Sequence, residues 1–265
     1  IEEEECVFTL TAGGYIKRTP ASTYRTQRRG GKGITAMATK EEDYVDTVFT
    51  ASTHDFILFF TNKGRVHRKK GYQIPEAGRT AKGTNLVNVL PIEQDEKVTA
   101  MIHLREFPED RYLVMVTRTG TVKRIQLSSI FTARKAGIRA ITLEEGDELI
   151  TVRETDGEQA ILIVTHDGMA ICFKETDVRC MGRDACGVRG ISLREGDFVV
   201  GAARAKYDHQ VLMITENGYG KRTEMDEYIR ADGPQKRGGY GLKGYNVTEK
   251  TGPVVGVKVV SDADD

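Results

Sequence analysis

The sequence has few cysteines, and none of them has a spacing that is typical of a metal site. They are Cys6, Cys172, Cys180 and Cys186, and no two form a Cys-x-x-Cys arrangement. A zinc knuckle needs closely spaced pairs of that kind. The sequence therefore predicts no metal site and four reduced thiols.

Long apolar runs are missing as well. No apolar stretch approaches the roughly 18 residues of a membrane-spanning helix. The start, Ile1 followed by Glu2 to Glu5, lacks the basic flank and the apolar stretch of a signal peptide. These absences predict a cytoplasmic protein without a membrane partner.

Net charge is also absent, because 39 Lys and Arg residues balance 39 Asp and Glu residues. The charges are nevertheless segregated along the chain. Residues 6–40 hold seven basic residues and residues 117–141 hold six, with no acid in either segment. Residues 61–90 hold seven basic residues against Glu76 alone. Local charge decides where a polyanion binds, so this distribution keeps nucleic acid open as a partner.

The chain repeats itself about every 50 residues. The phrase Thr-x-x-Gly, followed by basic residues in four of its five copies, has its glycine at positions 14, 64, 120, 168 and 218. The steps between these glycines are 50, 56, 48 and 50 residues. A period of this size indicates an array of similar units.

Each unit reads as four β-strands with almost no helix. A short apolar run precedes each turn, a strand returns from it, and two further strands follow, for example Leu86 to Leu90 and Val45 to Phe49. Four-stranded units favour an all-β propeller over a solenoid, whose repeats are usually shorter. We expect one domain over residues 1–265 with repeats at about 6–53, 54–108, 110–156, 158–206 and 208–260.

Two basic phrases recur in these units and supply candidate phosphate contacts. The returning strands contribute Lys17, Arg18, Arg65, Arg68, Lys69, Lys70, Lys123, Arg124, Lys221 and Arg222. A glycine-basic phrase about 20 residues later contributes Arg79, Lys82, Arg134, Lys135, Lys236 and Arg237. No convergent acid, base and nucleophile set accompanies them, so the domain by itself is not expected to be an enzyme.

The first glycine-basic phrase differs from its counterparts because it packs three charges and three glycines into seven residues. It consists of Gln27, Arg28, Arg29, Gly30, Gly31, Lys32 and Gly33. Glycine permits a close backbone approach, and arginine binds phosphate in a bidentate manner. This heptapeptide, together with the repeat from Cys6 to about Val260, resembles the family of C-terminal domains found in the A subunit of DNA gyrase.

The resemblance implies a β-pinwheel, which is a propeller whose neighbouring blades exchange a strand. It implies that the basic rim and the heptapeptide wrap duplex DNA with positive handedness and so support ATP-dependent negative supercoiling by a type IIA topoisomerase. The implied partners are double-stranded DNA, the rest of the gyrase A subunit, and the gyrase B subunit in an A2B2 complex. The implied location is the bacterial cytoplasm, in association with the nucleoid. No cofactor is expected for this domain, because ATP and Mg²⁺ act elsewhere in the holoenzyme.

The family typically has six blades, whereas five repeats are visible here, so a sixth is expected to be missing or truncated. Two alternatives remain open. One is the C-terminal domain of the topoisomerase IV A subunit, which has a similar repeat but usually lacks an intact heptapeptide. The other is a protein-binding propeller on which the charged residues only provide solubility.

Overall fold

The computed structural model describes residues 1–25, 43–132, 137–230 and 233–261. Within these ranges the chain is built almost entirely from β-strands, and the single α-helix, α1 (Ala21–Arg25), is very short. The expected all-β fold class is confirmed. No helix in the same ranges is long and apolar enough to cross a membrane.

The strands follow the repeats along the chain. The first two repeats contain β1 (Glu5–Thr11), β2 (Tyr15–Pro20), β3 (Val45–Ser52), β4 (Phe56–Thr61), β5 (Arg65–Lys70), β6 (Thr84–Asn85) and β7 (Val98–Leu104). The next two contain β8 (Tyr112–Thr117), β9 (Thr121–Gln126), β10 (Ile138–Arg139), β11 (Leu149–Thr155), β12 (Ala160–Thr165), β13 (Met169–Lys174), β14 (Val188–Arg189) and β15 (Val199–Ala205). The last contains β16 (Gln210–Thr215), β17 (Gly220–Glu224), β18 (Ile229–Arg230), β19 (Gly233–Pro234), β20 (Leu242–Lys243) and β21 (Val254–Val260).

Each Thr-x-x-Gly phrase forms the turn of a β-hairpin. In the third repeat the hydroxyl of Thr117 accepts a hydrogen bond from the amide of Thr121 at 3.1 Å. Gly120 has a φ of 95°, which side-chain-bearing residues rarely adopt. A Cβ at Gly120 would also lie 2.5 Å from the carbonyl oxygen of Ile191. The phrase recurs because this turn needs a hydroxyl acceptor and a residue without a side chain.

The repeats exchange short strands. The four-stranded sheets have the orders β3-β1-β2-β6, β10-β5-β4-β7, β11-β8-β9-β14 and β15-β12-β13-β20. The strands β6, β10, β14 and β20 therefore each complete the sheet of the preceding repeat. In the last sheet, β17-β16-β21, the described residues provide no such strand for β17. These antiparallel four-stranded sheets agree with the propeller interpretation and not with a solenoid.

One predicted strand is shorter than expected. The strand predicted over Leu86 to Leu90 is instead β6, immediately before it, followed by a 3-10 turn over Leu86–Asn88. The side chain of Asn85 accepts a hydrogen bond from the amide of Val87 at 3.1 Å and so starts the turn. Leu86 and Leu90 are both buried, and the turn places both of them against the core.

Two compact units can be distinguished. The first comprises Ile1–Thr61, Arg65–Phe107 and Thr132–Ile138, and the second comprises Asn62–Gly64, Pro108–Phe131 and Arg139–Asp265. The core of the first unit contains Phe8, Ile57 and Phe59. In the second unit, one cluster around Ile163 and Phe173 and another around Leu162 and Met213 join successive sheets.

Candidate nucleic-acid interface

Lys17 was predicted to contact phosphate, but its side chain is fully buried. Its Nζ donates hydrogen bonds to the carbonyl oxygens of Gly78 at 2.8 Å, Arg79 at 2.8 Å and Ala81 at 3.0 Å. These carbonyls belong to the loop of the following repeat, ahead of β6. Burial, with a smaller contribution from the charge of Arg79, lowers the pKa of Lys17 to about 8. The amine therefore fastens one repeat to the next.

Lys123 occupies the same place in the third repeat and is buried in the same way. Its Nζ donates to the carbonyl oxygens of Ala140 at 2.8 Å and Arg183 at 2.5 Å. Burial lowers its pKa to about 8, although the neighbouring Asp184 and Cys186 act in the opposite direction. Two repeats thus use one buried lysine for the same structural purpose.

The arginines that follow these lysines complete the fastening. Arg18 Nε donates to the carbonyl oxygen of Ile74 at 2.8 Å, and Arg124 Nε donates to that of Val178 at 2.9 Å. The guanidinium of Arg124 also lies 3.6 Å from the buried carboxylate of Glu175. Only 14% of the Arg18 side chain and 12% of the Arg124 side chain are exposed. Each basic pair therefore joins its hairpin to the next repeat.

These contacts correct part of the predicted rim. The amines of Lys17 and Lys123 are enclosed by backbone carbonyls, and Lys69 is buried as well, so these lysines cannot reach a phosphate in this arrangement. Arg18 and Arg124 direct Nε into the protein instead of toward solvent. We remove Lys17, Lys69 and Lys123 from the candidate DNA contacts, whereas DNA contact by Arg18 and Arg124 stays a prediction.

The remaining candidates lie nearer the surface, to different degrees. Four of the described candidates are exposed, namely Arg65, Lys221, Arg222 and Lys236. Five others are half-buried, namely Arg68, Lys70, Arg79, Lys82 and Arg237. Gln27, Arg28, Arg29, Gly30, Gly31, Lys32, Gly33, Arg134 and Lys135 lie outside the described residues. Lys221 and Arg222 are exposed because β17 has no neighbour on that side within the described chain.

Some of these candidates have local partners. Lys70 Nζ lies 3.8 Å from the centre of the Phe56 ring and donates to the carbonyl oxygen of His54 at 3.0 Å. Arg237 donates from Nε to the carbonyl oxygen of Asp177 and from Nη1 to that of Arg189, both at 3.0 Å. These contacts hold the cations in fixed positions at the surface.

The structure adds three cations that the sequence interpretation missed. Arg139, Arg189 and Lys243 are the second residues of the exchanged strands β10, β14 and β20, and all three are exposed. We call these three residues the basic edge. Each stands two positions after a glycine with positive φ, namely Gly137, Gly187 or Gly241. The recurring order of glycine, apolar residue and basic residue was the signal that could have identified them.

The acidic turns also have a structural role. Asp147 Oδ1 accepts hydrogen bonds from the amides of Thr119 at 3.0 Å and Glu148 at 2.8 Å. Asp197 makes the same pair of contacts one repeat later. Ligand atoms of His166, Asp167 and Asp197 all lie within 4.8 Å of one another, which is close enough to hold a cation. The charge alternation in the sequence thus arises partly from turn formation.

The family comparison covers most of the chain. The model described as the DNA gyrase C-terminal domain, beta-propeller, matches residues 7–52, 55–104, 111–156, 159–206 and 209–261. The DNA gyrase A subunit of Clostridium acetobutylicum is 56% identical over 265 residues. That alignment covers 100% of this chain and 31% of the relative, so the chain spans less than a third of the relative's length.

Two solved structures with the same fold support this family match. The crystal structure of the C-terminal domain of DNA topoisomerase IV superposes with a TM-score of 0.82 at 28% identity, over 99% of this chain and 79% of that chain. The structure of the DNA gyrase A C-terminal domain superposes with a TM-score of 0.73 at 25% identity, over 98% and 84% respectively. On the matched repeats and these identities, the chain belongs to the family of DNA gyrase C-terminal beta-propeller domains.

Proposed function

We propose that this chain is a non-catalytic module that wraps duplex DNA as part of a gyrase A subunit. The observation that carries the proposal is the basic edge, since three exchanged strands present an exposed cation at the same position. Phosphate contacts of this kind position a duplex without reading its sequence. Bending the duplex costs free energy, and further backbone contacts along the bend recover it.

The proposal extends to the whole enzyme. The relatives are gyrase A subunits, so we propose that this chain works inside an A2B2 complex with the gyrase B subunit, in the bacterial cytoplasm at the nucleoid. ATP and Mg²⁺ would be used elsewhere in that complex, and this domain needs neither to hold DNA. The heptapeptide Gln27 to Gly33 remains a proposed DNA contact on its sequence.

The test is the linking number of nicked plasmid that is religated with the chain bound. Wrapping with positive handedness shifts the linking number upward, whereas a protein-binding propeller leaves it unchanged. The basic edge is tested with the triple variant Arg139→Gln, Arg189→Gln and Lys243→Gln. Its matched control removes three exposed lysines on other elements, Lys97→Gln, Lys250→Gln and Lys258→Gln.

Salt dependence separates phosphate contact from a general charge effect. Each neutralised phosphate contributes roughly 0.9 to the slope of log K against log salt, so losing the basic edge should lower that slope by about 2.7. We expect the control triple to lower it by less than about 1, because none of its lysines belongs to an exchanged strand. Equal slopes for the two triples would remove the basic edge from the interface.

A topoisomerase IV domain is the second candidate, because a domain of that enzyme gives the higher TM-score of the two solved structures. The intact heptapeptide and the 56% identity to a gyrase relative favour gyrase. The same plasmid assay distinguishes the two, because bending without a positive shift would favour topoisomerase IV.

A further inference from the structure

The first position of the opening strand differs among the repeats. Five residues before the turn threonine, β4 begins with Phe56, β8 begins with Tyr112 and β12 begins with Ala160. Each of the three is only partly buried, at the end of its strand farthest from the turn.

Both rings lie against cations. Lys70, which is paired with Phe56 across the hairpin, places Nζ 3.8 Å from the ring centre, and the Arg68 guanidinium lies at 5.3 Å. The Phe107 ring packs edge-on at 5.1 Å. The ring of Tyr112 has the guanidinium of Arg124 at 4.8 Å. A cation over an aromatic face is attracted by the negative charge density of that face.

The fourth repeat keeps the cation but lacks the ring. Lys174 is paired with Ala160 across the hairpin, as Lys70 is with Phe56. Beside the methyl group of Ala160 lies a cavity of about 590 Å³, whose lining includes Gln159, Lys174, Thr176, Lys206 and Tyr207, together with one carboxylate, the exposed Glu158. This volume is in the range of small-molecule sites.

The loop after β15 supplies the other wall of the cavity. Tyr207 is 63% exposed, and its carbonyl oxygen accepts a hydrogen bond from Nδ1 of His209 at 3.0 Å. Asp208 has a φ of 61°, in the left-handed region. Lys206 is exposed, and neither Lys206 nor Lys174 forms an ion pair with a described carboxylate. The cavity therefore offers an aromatic wall, a cation for a ring face and a second cation for an anion.

We propose that this cavity binds a planar aromatic ring that carries a phosphate, which is the chemistry of a nucleotide. The ring lies beside Ala160, in the place that Phe56 fills in the second repeat, with Lys174 over its face and Tyr207 stacked beside it. The phosphate pairs with Lys206. The site is independent of the proposed wrapping, because backbone contacts to a duplex need no cavity.

The binding test uses isothermal titration with deoxyadenosine monophosphate and two truncated probes. Deoxyribose 5-phosphate lacks the ring and deoxyadenosine lacks the phosphate, so each should bind about tenfold more weakly or not at all. A single-stranded tetramer of deoxyadenylate distinguishes the two sources of the ligand. Tighter binding of the tetramer than of the monomer assigns the site to an unpaired DNA base, and the reverse assigns it to a free nucleotide.

The decisive variant is Ala160→Phe, which introduces the residue found at the start of β4 and fills the cavity. It should reduce binding of the monophosphate at least tenfold, whereas the control Ala160→Ser should keep it. The exposed side chain of Lys174 allows a second variant, Lys174→Gln, that leaves the core intact and should also weaken binding. Undetectable binding to the unmodified chain at millimolar probe, or full binding by Ala160→Phe, overturns the proposal.

Wrapping provides a separate readout for the same variants. Ala160→Phe should leave the plasmid linking-number shift unchanged, since the basic edge is intact. If the basic-edge triple loses the linking-number shift but binds the monophosphate normally, that result bears on DNA wrapping and leaves the proposed nucleotide site unaffected.

Discussion

Replacing Lys17 by methionine tests the fastening between repeats most directly. The change keeps the length and the apolar stem of the side chain but removes the ammonium group, so the three carbonyls of Gly78, Arg79 and Ala81 lose their donor. Hydrogen bonds to a charged group contribute about 1.5–3 kcal/mol each, which gives about 4.5–9 kcal/mol in total. The methionine also avoids burying an ammonium, which costs several kcal/mol. We expect a net loss of about 2–3 kcal/mol in the free energy of unfolding.

The matched control is Lys221→Met. Lys221 stands at the same position of the fifth repeat, but it is exposed on β17. A surface substitution of this kind usually changes the unfolding free energy by less than about 0.5 kcal/mol. The chain has no tryptophan, so urea unfolding is followed by far-ultraviolet circular dichroism. Equal and small effects of the two substitutions would refute the fastening role of the buried lysines.

The buried lysine of the third repeat, a turn glycine and the cysteines supply three more tests. Folding lowers the pKa of Lys123 from 10.5 to about 8, so between these pH values the folded chain binds fewer protons there than the unfolded chain. The free energy of unfolding of the unmodified chain, minus that of Lys123→Met, should therefore rise from pH 8 to pH 10.5. Urea melts at several pH values measure this difference, and a constant difference would contradict the prediction. Gly120→Ala should lower the free energy of unfolding by about 2–3 kcal/mol, because the new Cβ would meet Ile191. Gly146 has a similar φ of 82° but open space around it, so Gly146→Ala should lower it by about 1 kcal/mol. Equal losses of stability in thermal melts would show that backbone strain alone matters. Iodoacetamide at pH 8 should label the exposed Cys180 and Cys186 but not Cys172, whose pKa burial raises to about 12, and mass spectrometry of the peptides would reveal any labelling of Cys172.

The sequence predicted the hairpins well because their determinants are local. A threonine, a glycine and an apolar run are enough to specify the turn and the strand before it, as at Thr117 and Gly120. The prediction of the exchanged strands was weaker. A two-residue strand such as β14 gives no periodic signal, and its partner lies in another repeat.

The buried lysines of the basic pairs were misinterpreted for a related reason. A lysine next to an arginine usually indicates a solvated face, but carbonyls distant in sequence decide whether the ammonium is enclosed. The sequence did contain a warning, because the fourth repeat has Ile171 and Cys172 at the positions of Lys123 and Arg124. Both are fully or almost fully buried, as Lys123 is in the repeat before.

The strand exchange between repeats has a consequence for how such an array lengthens or shortens. Each repeat donates a short strand to the preceding repeat and accepts one from the following repeat. The donated strand always pairs with the second strand of a hairpin, as β14 pairs with β9 and β20 with β13. A duplicated copy inserted between two existing repeats would break one such pairing and form two equivalent ones. Gene duplication can therefore change the number of repeats in whole steps, whereas a deletion that ends inside a repeat leaves two neighbouring sheets incomplete.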